Sequence, residues 1–371
     1  MTERTVRVAY LADAFSGGGG IGRYTRELLA GLGARPDLQL VVVVPPGDVE
    51  GVRRLTLPNV TAVVPIGGRG QVGRAVWERH RLGATLARFD IDVIHGTKHL
   101  LPRTAMPTVL TAYDVMPITS REQFHLVKRL LLPSQYLRSL REATIILSIS
   151  ETTRQRLLRI DASLNTKTRV VPLGVASELR DVAPIPLEGL EQQAFALVVG
   201  DLAPRKNVRM LLDIWHDVHE RTGMVLVVVG PEGWRSRSTR DRLEELARAG
   251  IARWYGRVPD SQLRWSYEHA RVVLYPSIEE GYGLPLVEAF EFGAPIIASD
   301  DAALVEVARG RALHLDAQDA AAWRTAVIDA ASTGVERTPA AGDRGDEVSW
   351  SKTVEGTVRA YRDALSGGSQ P

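Results

Sequence analysis

Short apolar runs alternate with amphipathic stretches along most of the chain. Val6 to Ala12, Leu40 to Val44, Val60 to Val64, Ile91 to Ile94, Thr108 to Ala112, Ile145 to Ile149 and Arg169 to Val171 each read as a strand. Helical spacing recurs between them, over Arg23 to Leu32, 71–88, 122–141 and 151–159. Apolar β runs separated by amphipathic helices predict a parallel sheet covered on both faces. The segment Leu173 to Gln193, with Pro184, Pro186 and several acids, breaks this rhythm and reads as the passage between two domains. A second series follows: strands at Ala194 to Val199, Met224 to Val229, Ala252 to Tyr255, Arg271 to Tyr275 and Pro295 to Ala298, with a helix over Asn207 to His219. One last helical pattern, Lys352 to Leu365, precedes the polar end SGGSQP. The pattern predicts two doubly wound α/β units in tandem.

Composition narrows the class without choosing a chemistry. The 371 residues are enough for two cores, and 44% hydrophobic with 24% charged residues is ordinary for a globular chain. A net charge of +2 carries no footprint for nucleic acid. With no cysteine, disulfides and thiolate metal sites are excluded, which fits a cytoplasmic protein. The opening MTERTVRVAYLAD alternates like a strand and is too interrupted for a signal peptide. No apolar run reaches the roughly 18 residues of a spanning helix.

Gly17, Gly19 and Gly22 match G-x-G-x-x-G between a strand and a helix, in the local context of a dinucleotide fingerprint. Four consecutive glycines satisfy many patterns, and the acid that should end the second strand is missing: Pro45-Pro46-Gly47 stands there, with Asp48 past the turn. Two readings stay open. A loop without side chains at a helix N-terminus lets backbone amides approach a phosphate, or the glycines serve a tight turn with positive φ.

Three features of the second half fit together. Gly200-Asp201-Leu202-Ala203-Pro204-Arg205-Lys206-Asn207 follows an apolar strand, at the edge where open α/β sheets bind ligands. Arg205 and Lys206 just before a helix are unfavourable for its dipole, so their presence asks for an anion; two cations can neutralise a departing diphosphate. Pro276 to Ala289 runs from a strand through two glycines into a helix with Pro285 near its first turn, and carries Glu280 and Glu288 amid apolar neighbours. Gly256-Arg257-Val258-Pro259-Asp260 is a strand-end turn whose backbone could bond the edge of a nucleobase.

Glu280 and Glu288, eight apart around GYGLP, resemble the E-x7-E motif of the large retaining GT-B glycosyltransferase family (group 1, or family 4 type), which includes many bacterial mannosyl- and glucosyltransferases. GDLAPRKN, GPEGW, GRVPDSQL, PSIEEGYGLPLVEAFEFGAPIIASD and LVEVARG agree in order, as do GGGGIGRYTREL, SISETTRQRL and VVPLGV in the first half. The resemblance implies two facing Rossmann-like domains with a last helix crossing back to the first: 1–175 on the acceptor side, 176–349 for the donor, and 350–371 as the returning helix. It implies that Arg205 and Lys206 bind the donor diphosphate and that Glu280 contacts the donor sugar near its C3 hydroxyl. Gly283 and Leu284 would offer amides to the phosphate, Glu288 would hold the ribose, Val258 would meet the base, and Gly19 and Gly20 would lie under the phosphates. The family usually carries a His-Asp pair after a strand of the first half. Here VLTA is followed by Tyr113-Asp114, so Asp114 is expected at the reacting centre, while tyrosine can donate a hydrogen bond but carry no positive charge. His95 and His99 in DVIHGTKHLLP either face the same cleft or are structural.

The expected reaction is transfer of a hexose from a nucleoside-diphosphate sugar to an acceptor hydroxyl with retention. No metal or cofactor is expected, since no metal-ligand cluster is visible. APRKN and GPEGW look closest to mannosyltransferases using GDP-mannose, with UDP-hexoses as the rival. An NAD(P)-dependent oxidoreductase using the Gly17-Gly19-Gly22 loop would leave Glu280 and Glu288 unexplained. An epimerase or phosphorylase of the same fold, and a non-catalytic nucleotide-sugar-binding module, are the other rivals. Arg121 to Glu142 is a basic amphipathic stretch that either rests on an anionic membrane, reaching a lipid-linked acceptor, or packs over the first domain.

Overall fold

The computed structural model describes residues 4–68, 70–120, 126–333 and 349–367. The chain divides into two compact units, Met1–Gly174 with Val348–Pro371, and Val175–Glu347. In the first, strands β1 (Val6–Leu11), β2 (Leu38–Val44), β3 (Val60–Pro65), β4 (Val93–Gly96), β5 (Thr108–Ala112), β6 (Ile145–Ser148) and β7 (Thr168–Val170) form one sheet in the order β3-β2-β1-β4-β5-β6-β7. Every neighbouring pair is parallel. The intervening helices are α1 (Gly20–Gly33), α2 (Val49–Arg53), α3 (Gly70–His80), α4 (Leu82–Leu86), α5 (Met116–Thr119), α6 (Leu126–Glu142) and α7 (Glu151–Ile160).

The second unit repeats the plan. It holds α8 (Ser177–Asp181), β8 (Phe195–Val199), α9 (Val208–Thr222), β9 (Val225–Val229), α10 (Arg237–Arg248), β10 (Ala252–Gly256), α11 (Asp260–His269), β11 (Val272–Tyr275), α12 (Leu284–Glu291), β12 (Ile296–Ser299), α13 (Ala302–Ala308), β13 (Leu313–Leu315) and α14 (Ala320–Thr333). Its sheet is parallel, in the order β10-β9-β8-β11-β12-β13. These are the two Rossmann-like sheets that the apolar runs predict. LQLVVVV and VLVVV are apolar almost throughout because helices cover both faces of each sheet. In both units the order reverses beside the first strand, between β1 and β4 and between β8 and β11, and the crevice outside the strand ends at such a reversal is where ligands bind.

The helical pattern over 71–88 is two helices, α3 and α4, and the pattern over 122–141 is described only from Leu126. β13 and α14 have no counterpart in the predicted elements. LHL is too short to show a period, and the alanine-rich α14 lacks a strong polar face. What fixes α14 is Trp323, fully buried in a cluster with Trp215 and Leu211 of α9.

The last helix, α15 (Trp350–Leu365), belongs to the first unit. It packs on α1 and against β4, β5 and β6. A buried polar chain fastens it: Tyr361 Oη lies 2.7 Å from His95 Nδ1, His95 Nε2 lies 2.8 Å from Thr111 Oγ1, and Thr111 Oγ1 lies 2.8 Å from the Tyr24 hydroxyl. Of the two readings of His95, the structural one holds, since its ring is fully enclosed. Burial lowers its pKa from 6.5 to about 3, so the native state keeps the imidazole neutral while the unfolded chain takes up a proton near pH 6.5. Stability contributed by the neutral ring is therefore present above pH 6.5 and is lost as the pH falls toward 3, by up to about 1.4 kcal/mol per pH unit. Thermal melts from pH 7.5 to 4 are expected to show a steep fall below pH 6.5 that is flattened in His95→Gln; parallel curves for the two proteins would mean another group controls acid unfolding.

Candidate functional site

The residues singled out in the second half converge on the reversal between β8 and β11. After β8 the chain makes one tight turn, Pro204–Lys206, before Asn207 adopts a left-handed conformation and α9 begins. That turn aims Lys206 inward. After β11 the loop carries Glu280, and both side chains are buried, 9% and 7% exposed. Lys206 Nζ lies 2.6 Å from Glu280 Oε1 and 3.0 Å from the Tyr275 hydroxyl, and Arg205 Nη1 lies 3.2 Å from the same Glu280 oxygen. A second acid, Asp201, sits 3.7 Å from Arg205 Nη2.

Burial pushes the Glu280 carboxyl upward, but the charges of Lys206 and then Arg205 outweigh it and leave its pKa below the usual value. Burial is also the largest influence on Lys206; it lowers the ammonium's pKa, and the pull of Glu280 only partly restores it. Two cations and two acids thus form a nearly neutral cluster at a crevice where an incoming anion can be exchanged for Glu280 as their partner.

Gly283 caps α12 with φ +99°, and a Cβ there would come within 2.6 Å of Leu304 Cδ2, so no other residue fits without rearrangement. The first intrahelical donors, the amides of Leu286 and Val287, both bond the Gly283 carbonyl. The amides of Gly283 and Leu284 come before that ladder, at the positive end of the helix. Glu288, one turn into α12, is 4% exposed and accepts a 2.8 Å hydrogen bond from the Tyr267 hydroxyl of α11. Val258 lies half-buried in the turn between β10 and α11.

The structure therefore brings Arg205, Lys206 and Glu280 into direct contact, with Gly283, Leu284 and Glu288 on the helix that follows Glu280. Tyr275, Tyr267 and Asp201, which hold these groups, were not singled out in the sequence. Only Asp201 carries a local signal, as the acid four residues before Arg205. The cavity of about 730 Å³ between the β11–β13 edge and α14, lined by Val272, Ile296, Leu313 and Ala326, opens where those strands begin, at the opposite edge of the sheet.

In the first unit the glycine loop is braced from two sides. Asp48 accepts from the Ser16 amide at 3.3 Å, and Arg26 Nη1 donates to the carbonyls of Phe15 and Gly17 at 2.9 and 3.2 Å. Gly22 is fixed by contact, since a Cβ would fall on the Gly17 carbonyl oxygen. Gly19, with φ +82°, and Gly20 are exposed at the start of α1, and no atom lies within 4 Å of where a Gly19 Cβ would stand. The positive φ of Gly19 fits the tight-turn reading of the loop. Asp48 braces the loop instead of ending the second strand as a ribose ligand would.

Tyr113 is buried, donates to the Thr97 carbonyl at 2.9 Å and meets Tyr24 edge-on at 5.1 Å. Asp114 Oδ1 accepts from the Met116 amide at 3.0 Å. His99 is half-buried, edge-on to Tyr136 at 4.9 Å. Among the described residues no group of three histidine or acidic side chains could hold a metal ion, and no helix is long and apolar enough to cross a membrane.

Two doubly wound parallel sheets, one with paired cations and a buried acid at its order reversal, define the GT-B class of glycosyltransferase. Residues 186–340 match the model of the glycosyl transferases group 1, and residues 18–179 that of Glycosyltransferase Family 4. The chain belongs to the group 1 glycosyltransferases, enzymes that use a nucleotide-sugar donor and a glycan acceptor. It is 29% identical to O-antigen chain mannosyltransferase B of Escherichia coli over 282 residues, 73% of this chain and 74% of the relative. It is 26% identical to the MMP alpha-(1->4)-mannosyltransferase of Mycolicibacterium hassiacum over 309 residues, 75% and 72% of the two chains. Anabaena HepE in complex with UDP-glucose shares the fold, with a TM-score of 0.66 over 98% of this chain and 97% of that one at 12% identity.

If Lys206 and Glu280 stabilise each other as a buried pair, Lys206→Met should cost roughly 3 kcal/mol by leaving a poorly compensated buried carboxylate. Lys206→Met/Glu280→Gln should then cost clearly less than the sum of the single changes. Additive losses in thermal or urea unfolding would show that the two side chains do not depend on each other.

Proposed function

We propose that the protein is a retaining mannosyltransferase that moves mannose from GDP-mannose to an acceptor hydroxyl. The observation that carries this reading is the contact of Arg205 and Lys206 with buried Glu280 at the strand ends of the second unit. The mannosyl choice is supported by the names of the two relatives above. The HepE complex keeps a UDP-hexose as the rival donor, on a likeness of fold alone.

In this reading the diphosphate displaces Glu280 from Arg205 and Lys206, and the amides of Gly283 and Leu284 take a phosphate oxygen. Glu280, released toward the sugar, accepts from a ring hydroxyl near C3. Glu288 orients the ribose with Tyr267 behind it, and the Val258 backbone meets the base. The C1–O bond to phosphate breaks as the acceptor oxygen bonds C1 from the same face, and the acceptor proton passes to an oxygen of the departing diphosphate. Arg205 and Lys206 supply the positive charge on the leaving group, so we propose turnover without a metal ion.

Acceptor-dependent release of GDP from GDP-mannose, unchanged by a chelator and yielding an α-linked product by NMR, is the expected result. Lys206→Ala and Glu280→Ala should each lower kcat about a hundredfold or more. A β-linked product would refute retention, and turnover only with UDP-hexoses would move the donor assignment to the rival.

The acceptor is proposed to be a lipid-linked glycan reached from the membrane surface. Leu130 and Leu131 of α6 are 69% and 51% exposed, beside exposed Arg129, which is the pattern of a helix resting on anionic lipid. Residues 121–125 of that stretch lie outside the described residues. Co-sedimentation with vesicles containing anionic lipid is expected, and is expected to be lost in Leu130→Ser/Leu131→Ser. Equal pelleting of both proteins, or of neither, would remove the membrane from the account.

A further inference from the structure

We propose that Trp234 is the stacking platform for the donor's nucleobase. The inference rests on the donor-site reading above and adds a residue and a specificity to it.

The strand order β10-β9-β8-β11 sets the order of the loops at the ligand-binding edge. The paired cations follow β8, and the Val258 turn follows β10. The loop after β9, Gly230-Pro231-Glu232-Gly233-Trp234, therefore stands between the part of the site suited to the diphosphate and the part suited to the base. Trp234 is the aromatic side chain of that loop.

The loop is fastened to both neighbours through backbone. The Leu202 amide bonds the carbonyls of Pro231 and Glu232 at 3.3 and 3.1 Å, joining it to the loop that carries Arg205 and Lys206. The Gly230 amide bonds the Gly256 carbonyl at 2.7 Å, joining it to the turn that carries Val258. The approach is so close that a Cβ on Gly230 would overlap the Gly200 carbonyl oxygen. From behind, Trp254 Nε1 donates to the Gly230 carbonyl at 2.8 Å, and Arg240 Nη1 bonds Glu232 at 3.0 Å.

On this fixed support Trp234 is 40% exposed, whereas Trp215 and Trp323 are fully buried and Trp265 is 6% exposed. Leaving so much indole in water forgoes apolar burial. The next residue, Arg235, holds a left-handed conformation with φ +56° although it is not glycine. An unfavourable backbone angle beside a wet aromatic ring, on a loop pinned to the phosphate turn, is the kind of local strain that marks a ligand contact. An indole face gives a base a broad apolar surface, and a purine covers more of it than a pyrimidine does.

Calorimetric titrations of the full chain with GDP, UDP and inorganic pyrophosphate test this, using wild type, Trp234→Ala, Trp234→Phe and Lys206→Met. Trp234→Ala is expected to weaken GDP about tenfold and UDP less, with pyrophosphate binding unchanged and Trp234→Phe close to wild type. With GDP-mannose it should raise KM and leave kcat near wild type. Lys206→Met should weaken GDP and pyrophosphate alike. If Trp234→Ala binds GDP as wild type while Lys206→Met does not, the stacking role is wrong and the donor site stands. If Lys206→Met leaves both ligands unaffected, the donor-site reading falls and this inference with it. An unchanged melting temperature in Trp234→Ala checks that a loss of binding is not a loss of fold.

Discussion

A buried carboxylate must be compensated, and Glu280 sets that condition for the second unit. Taking an ionised group out of water is tolerable only with cations and donors within bonding distance. Here Lys206 and Arg205 come from a loop 74 and 75 residues earlier in the chain. For them to reach Glu280, β8 and β11 must be neighbours, which is the strand-order reversal of the fold. The left-handed Asn207 ends the turn that points Lys206 inward, and Gly283 starts α12 at a positive φ that side chains rarely adopt. Tyr275 fills the remaining space beside the ammonium, its ring centroid 4.8 Å from Nζ. The same contacts that satisfy the charge hold two cations and two acids together at the order reversal.

The first unit solves a different problem on the same plan. At its own reversal, between β1 and β4, His95 is fully enclosed and burial keeps its ring neutral, while the buried Asp13 carboxyl after β1 feels the charges of Lys98 and Arg74. Tyr113, where the family usually has histidine, is spent on the Thr97 carbonyl and the Tyr24 ring. What this unit leaves open is backbone, at Gly19 and Gly20.

The strands were legible because a sheet covered on both faces has to be apolar almost without break, and LQLVVVV or VLVVV admits few other readings. Glu288 was legible because an acid amid apolar helix residues needs a reason, and Glu280 because it stands eight residues earlier, across GYGLP. Their partners were not. Tyr267 and Glu288 are 21 residues apart, and nothing local in LRWSYEH announces that this tyrosine hydroxyl turns toward an acid on the next helix. His95 was left between two roles because only tertiary contact with Tyr361 decides it. β13 and α14 escaped notice for a simpler reason: three residues carry no period, and an alanine-rich helix shows its buried face only once Trp323 has somewhere to go.

The placement of α15 has a consequence for the order in which the protein is made. The ribosome releases the seven strands of the first unit, then the whole second unit, and only then the helix whose Tyr361 closes onto His95. Until that helix emerges, the faces of α1 and the first sheet that it covers stay exposed, so a nascent chain carries an unfinished first half while its second half is already complete. The first unit is thus made before the second but sealed only after it.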